Sequence, residues 1–291
     1  MRRKIKGILN GIIASVSYGT NPLFALPLYS KGIGVNSVLF YRYAFAVVIY
    51  GIWIKFFKKT SLKINWKEGL WLLLFGLLFS GSSLTLFDAF NYIDAGLACT
   101  ILFVYPIMVA IIMALFFKEK VSFVTICSII LTTIGIYMLY KGGASLNPRG
   151  VGLVFASALL YALYIVGVKN VKIVKHIKAD KLTFYVMLFG LILYIVNLKF
   201  CTELQFLQSP FQWLCAFALA IIPTIISLET ITIAIKFVGS TTTAILGALE
   251  PLTAIFFGVT LFGEQLTIRI CIGILLILSG VLFLVTNKIR K

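Results

Sequence analysis

The sequence predicts an all-α integral membrane fold, with ten transmembrane helices arranged as two inverted five-helix repeats. Three observations predict it: an apolar excess no soluble domain carries, basic residues that gather on one side of ten apolar intervals, and a pattern of uncommon residues that recurs at a fixed shift. Of the 291 residues, 61% are hydrophobic and only 12% are charged, and the mean hydropathy is +1.06. A soluble domain runs near half apolar and a quarter charged, and a globule of this size cannot hide so much apolar surface from water. Soluble enzymes, disordered chains and disulfide-stapled secreted domains are excluded.

A bilayer-crossing helix needs about 20 mostly apolar residues. Ten intervals satisfy this: 7–29, 35–57, 68–92, 95–117, 121–140, 150–168, 181–198, 211–235, 240–262 and 267–287, called spans 1 to 10 below. The start, Met1-Arg2-Arg3-Lys4 before an apolar run, resembles a signal peptide, but the run continues to Tyr29 and has a counterpart later in the chain. It is therefore read as span 1.

With the N-terminus inside, the inner side receives Arg2, Arg3, Lys4, Lys6, Lys55, Lys58, Lys59, Lys63, Lys67, Lys118, Lys120, Lys169, Lys172, Lys175, Lys178, Lys181, Lys236, Lys288, Arg290 and Lys291. The outer side receives Lys31, Lys141, Arg149, Lys199 and Arg269, and Arg42 lies within a span. Twenty against five is a positive-inside bias that places both termini in the cytoplasm of a cell (inner or plasma) membrane. It accounts for the net charge of +17 without nucleic acid, and it makes anionic lipid at the inner face the expected partner. His176, the single histidine, reads as a solvated residue of that basic side.

A shift of 145 residues places Pro106 on Pro251, Glu119 on Glu264 and Gly135 on Gly280 without a gap; a shift of 143 places Gly7 on Gly150 and Tyr18 on Tyr161. The halves are expected at 1–143 and 144–291. Because each unit has five spans, an odd number, the second must enter the membrane in the opposite sense. Inverted repeats of this kind are built by secondary transporters, whose halves exchange conformations around a midplane site; duplication for packing alone is the alternative.

The run Tyr105-Pro106 … Phe117-Lys118-Glu119-Lys120-Val121 … Gly135, echoed by Glu250-Pro251 … Phe262-Gly263-Glu264-Gln265-Leu266 … Gly280, resembles the EamA-type repeat of the drug/metabolite transporter superfamily. Tyr18-Gly19-Thr20-Asn21 resembles its span-1 pattern of an aromatic, glycine and asparagine, and Arg42-Tyr43 its span-2 arginine and following aromatic. The resemblance covers nearly the whole chain. It implies a ten-helix carrier with a cavity lined by spans 1–4 and 6–9, spans 5 and 10 lying more peripherally. The second half departs from the first: span 7 has no arginine matching Arg42, and Tyr105 is replaced by Glu250, so the halves are expected to contribute unequally.

Polar residues inside spans mark the candidate site, because a charge in hydrocarbon costs about 2.5–3.5 kcal/mol on insertion scales. Glu250 directly precedes Pro251, whose missing N–H bends the helix; it reads as a holder of a substrate ammonium, a proton carrier, or a carboxyl that glues helices. Arg42 and Asp88 lie about seven and four residues from the outer ends of antiparallel spans, depths that differ by about 5 Å, and are expected to pair. Glu229 reads as a gate residue or an interfacial acid. Glu119 and Glu264 read as turn residues before the N-caps Ser122 and Thr267, and Asp94 as the surface end of span 3. Tyr18 and Asn21 share a helical face, and Tyr105, Tyr161 and Tyr164 add aromatic surface, as cavity lining or as core. Pro106 and Pro251 are the expected bends.

The sequence has no phosphate-binding G-x-x-x-x-G-K-[ST] loop, no G-x-S-x-G, no H-E-x-x-H and no C-x-x-C. No enzyme activity, metal or cofactor is expected. The expected function is a secondary transporter of small polar metabolites, amino acids or derivatives, by family resemblance an exporter. The alternatives are an uptake or exchange carrier for sugars or nucleotide-linked metabolites, and a non-transporting membrane scaffold.

Overall fold

The computed structural model describes residues 2–93, 95–139, 147–262 and 267–290. Expectations placed on Asp94, Lys141, Glu264 and Lys291, and the half boundary at 143/144, fall outside the described residues. Helices are the regular elements of the described residues, in the order α1 (Arg2–Tyr18), α2 (Asn21–Tyr29), α3 (Val35–Trp53), α4 (Trp66–Ala89), α5 (Ala95–Leu102), α6 (Tyr105–Phe117), α7 (Phe123–Leu139), α8 (Pro148–Asn170), α9 (Lys172–His176), α10 (Ala179–Asn197), α11 (Pro210–Ala220), α12 (Ser227–Val238), α13 (Ser240–Leu246), α14 (Leu249–Phe262) and α15 (Ile268–Arg290). A π-helical turn, Ile54–Lys58, ends α3, and another, Ile221–Ile226, joins α11 to α12. Seven of the described segments are individually long and apolar enough to cross a membrane, and Tyr105–Phe117 and Phe123–Met138 are shorter apolar helices. Helices fall in each of the ten expected spans.

The helix breaks follow the prolines. Spans 1, 4 and 9 each divide into two helices, and in each case a proline stands in the first turn of the new helix: Asn21-Pro22, Tyr105-Pro106 and Leu249-Glu250-Pro251. A proline cannot donate to the preceding turn, so the ladder opens there. The breaks are closed by tightened turns: Gly247 donates to Ala244 O (3.1 Å), Ala248 to Ile245 O (3.1 Å), and Glu250 N takes the Gly247 carbonyl (2.9 Å) that Pro251 cannot reach. At the break in span 4, Val104 N donates to Ile101 O (3.0 Å). Ser122 and Thr267 cap as expected: the Ser122 Oγ accepts from Thr125 N (3.2 Å), and the Thr267 hydroxyl from Ile270 N (3.3 Å).

Two small-residue contacts expose the symmetry of the fold. An added Cβ at Gly7 would meet Val238 Cγ1 at 2.7 Å and Phe237 Cβ at 2.8 Å; one at Gly150 would meet Ile93 Cγ2 and Tyr92 Cβ, each at 2.9 Å. These are the same contact in the two halves. They lie at opposite ends of the molecule, because Gly150 opens α8 while Lys169, near its far end, donates to the Lys236 carbonyl (3.2 Å) beside Phe237 and Val238. At the periphery α7 packs on α15, with Gly135 against Ile277 and Gly273, and Gly280 against Thr132, Ser128 and Leu131. An operation that exchanges the halves turns the molecule upside down.

The basic segments share one end. Thr60 Oγ1 donates to Asp180 Oδ2 (2.7 Å), Tyr185 OH to Leu62 O (2.6 Å), Lys181 pairs with Glu68 (3.1 Å), and Lys236 bonds the Ile177 carbonyl. At the opposite end Gln205 ties 202–208 to Gly32, Gly34 and Ser37. In a cysteine-free background, Lys63→Cys and Lys175→Cys are therefore expected to label from one side of the membrane and Lys199→Cys only from the other; labelling of 63 and 175 from different sides contradicts the fold.

Candidate functional site

The three broken helices converge. Gly19, in the break of span 1, is buried so tightly that an added Cβ would lie 2.4 Å from Glu250 O and 2.8 Å from Thr253 Cβ. The interrupted backbone of span 1 thus rests on the interrupted backbone of span 9. Beside this contact lies a hollow lined by Tyr18, Gly19, Asn21 and Pro22 of span 1, Leu86, Phe87 and Phe90 of α4, Cys99, Leu102, Phe103 and Tyr105 of span 4, and Glu250 and Pro251 of span 9. Its free space is about 40 Å³, enough for a few waters. The hollow lies on the side of the breaks away from the basic end, since α4 starts at that end and only its last turns line it.

Towards the basic end the bundle is filled by rings. Tyr161 stacks on Tyr18 (6.3 Å between centroids, 11° between planes) and meets Tyr105 edge-on (4.9 Å, 64°). Tyr164 stacks on Tyr161 (6.5 Å, 4°), and Phe79 packs on both. Tyr105 stands 1% exposed beside Gly247, where a Cβ would lie 1.6 Å from its hydroxyl oxygen. This aromatic plug makes the hollow shallower and more apolar than a cavity centred on the polar residues of all the inner spans.

Polar groups at the hollow are few and incompletely satisfied. Asn21 is 5% exposed, and neither its side-chain oxygen nor its nitrogen has a hydrogen-bond partner. Glu250 lies in the first turn of α14, where the partial positive charge of a helix N-terminus favours a carboxylate. Of the residues singled out in the sequence, Tyr18, Asn21, Tyr105, Glu250 and Pro251 border the hollow, Tyr161 and Tyr164 form the stack beyond it, and Pro106 is buried at its break without bordering it.

Arg42 departs from expectation. Rather than pairing with Asp88 it reaches span 8: its Nε donates to Thr224 Oγ1 (2.6 Å) and its Nη2 to the Pro223 carbonyl (3.2 Å). Thr224 Oγ1 donates to Leu219 O (2.7 Å), which orients its lone pairs to the guanidinium. Both acceptors lie in the π-helical turn Ile221–Ile226, an irregularity of the kind that recurs at functional sites. Asp88 is half-buried and accepts from Asn91 Nδ2 (3.2 Å), a partner three residues along its own chain. Acceptors on another helix take the arginine instead. Glu229 also stands apart from the hollow. It pairs with Lys58 at the basic end, joining span 2 to span 8 with side chains 31% (Lys58) and 18% (Glu229) exposed. The sequence reading missed Thr224 as the arginine's partner, although Pro223 in mid-span signalled an irregular helix there.

Gly247→Ala is expected to destabilise the protein by about 1–3 kcal/mol through overpacking, and Tyr105→Phe, which removes the clashing oxygen, is expected to restore part of that loss in thermal melts; additive losses would mean the two do not touch. For Lys58 and Glu229 a double-mutant cycle is expected to give about 0.5–1 kcal/mol of coupling, and zero coupling would show that the pair carries no stability.

Comparison with known proteins agrees with this architecture. A curated relative from Archaeoglobus fulgidus, described as an uncharacterized transporter, is 28% identical over 191 residues, 65% of this chain and 66% of the relative, so the match spans just under two thirds of that protein. A solved crystal structure superposes with a TM-score of 0.81 over 95% of this chain and 97% of the other; at 18% identity the likeness is one of fold. The model of the EamA-like transporter family matches twice, over residues 5–141 and 148–286. With its two matching halves, its apolar helices and its broken spans, the chain belongs to the EamA-like transporter family and is a multi-pass membrane protein.

Proposed function

We propose that the protein is a secondary carrier that exports small polar metabolites, amino acids or their derivatives, by alternating access. Both termini lie in the cytoplasm of a cell (inner or plasma) membrane, and the basic end rests on anionic lipid. The observation that carries this reading is the hollow at the meeting of broken helices from the two halves, bordered by Asn21 with an unsatisfied amide and by Glu250. Broken helices at mid-bundle supply backbone and dipole groups to a solute without exposing them to lipid. In this reading the aromatic plug and the Lys58–Glu229 pair close the cytoplasmic side, and the solute enters when they part. Glu250 meets a substrate ammonium or carries a proton. Trp66, 81% exposed beside Lys63 and Lys67, provides the aromatic and cationic contacts that an anionic interface attracts.

Proteoliposomes of the purified protein are expected to show saturable counterflow of at least one labelled amino acid. Flux of sugars or nucleotide-sugars alone would replace the substrate class, and no saturable flux of any solute would favour a scaffold. Glu250→Gln is expected to remove the pH dependence of flux while the melting temperature holds; an unchanged pH profile would exclude Glu250 as the proton site.

A further inference from the structure

We infer that the site requires an anionic group on its substrate, a carboxylate in the amino acid reading, and that Arg42 is the residue that receives it, positioned by Thr224. This rests on the transport reading above and adds the substrate's acid end. Arg42 is 0% exposed in the half of the bundle that holds the hollow, and among the described residues no acid lies within ion-pair distance. Its neighbours are a hydroxyl, a carbonyl and ring faces: the guanidinium carbon lies 5.9 Å from the centroid of Tyr18, 5.7 Å from Tyr43 and 5.6 Å from Phe87. A buried cation held only by neutral groups is under-compensated, and the remaining donor, Nη1, has no partner. Tyr29 OH is likewise unpartnered, and the Tyr29 ring packs edge-on against Phe87 (6.3 Å, 87°).

Tyr18 and Phe87 connect this cation to the hollow, since both rings cover Arg42 and both line the cavity. A space for a few waters must widen to admit an amino acid, and widening displaces lining side chains. Moving either ring uncovers Arg42. Its Nε and Nη2 each hold span 8 through one bond, so the guanidinium is fixed in orientation, and Nη1, which has no partner, is free to meet an incoming anion. Glu250, the acid that borders the same hollow, lies against Gly19 through its carbonyl. A solute that carries both an ammonium and a carboxylate therefore has an acid at the hollow and, once a ring moves, a cation beside it.

The test uses proteoliposomes and the twenty common amino acids, each paired with its amide, which keeps the ammonium and loses the carboxylate. In the wild type the acid is expected to be preferred over its amide by about tenfold or more, the scale of one charge-assisted hydrogen bond. Arg42→Gln is expected to bring the ratio near one, with amide flux persisting. Thr224→Val, which leaves the charge in place and removes only the orienting hydroxyl, is expected to lower the ratio several-fold with a change in KM larger than in kcat. A wild type that moves amides as well as acids, or an Arg42→Gln protein that keeps the preference, overturns the inference while leaving the transport reading intact. If Arg42→Gln does not fold, an unchanged ratio in Thr224→Val overturns it. Absence of flux for every acid and every amide overturns both.

Discussion

Everything at the centre of this molecule depends on the contact between two interrupted backbones. Gly19 lies directly on the carbonyl of Glu250, with no room for even one added carbon. In hydrocarbon each unpaired N–H or C=O costs several kcal/mol, so a proline break survives only where protein covers it. Spans 1, 4 and 9 break at one level and cover one another's open turns. The hollow follows from this arrangement: helices that change direction together cannot fill the space that straight helices would.

The two halves are related but not equivalent, and the differences collect at the hollow. Gly7 and Gly150 make matching contacts at opposite ends, and Gly135 and Gly280 make matching contacts across α7 and α15. Span 1 breaks at Gly19 while its counterpart α8 runs unbroken through Tyr161. Arg42 of span 2 faces a π-helical turn in span 8 that carries Pro223 and Thr224. A symmetric frame thus supports an asymmetric lining.

The charge distribution divides the remaining work. At the basic end the halves are tied by Lys58–Glu229, Lys181–Glu68 and Thr60–Asp180. At the other end they are tied by the neutral bonds of Gln205. Ion pairs at a wet interface are individually weak, so such a seam can open without a large penalty. The aromatic stack above it excludes water by area, not by charge.

The sequence by itself determined the membrane fold, the gathering of basic residues at one end, the inverted repeat and the breaks at Pro106 and Pro251. Each of these follows from local composition or from spacing along the chain, and hydrocarbon leaves the backbone little choice but to form helices. It also marked Tyr18, Asn21, Tyr105 and Glu250, because polar or aromatic groups beside a broken helix stand out against an apolar background. Only the tertiary structure decided which partner each charge takes. Arg42 and Asp88 are close in depth, yet Arg42 bonds Thr224, 182 residues away, and Glu229 joins Lys58 rather than the hollow. Depth in the bilayer can be read by counting residues, but which faces of two helices meet depends on the rotation and packing of all their neighbours, and no one-dimensional pattern carries that.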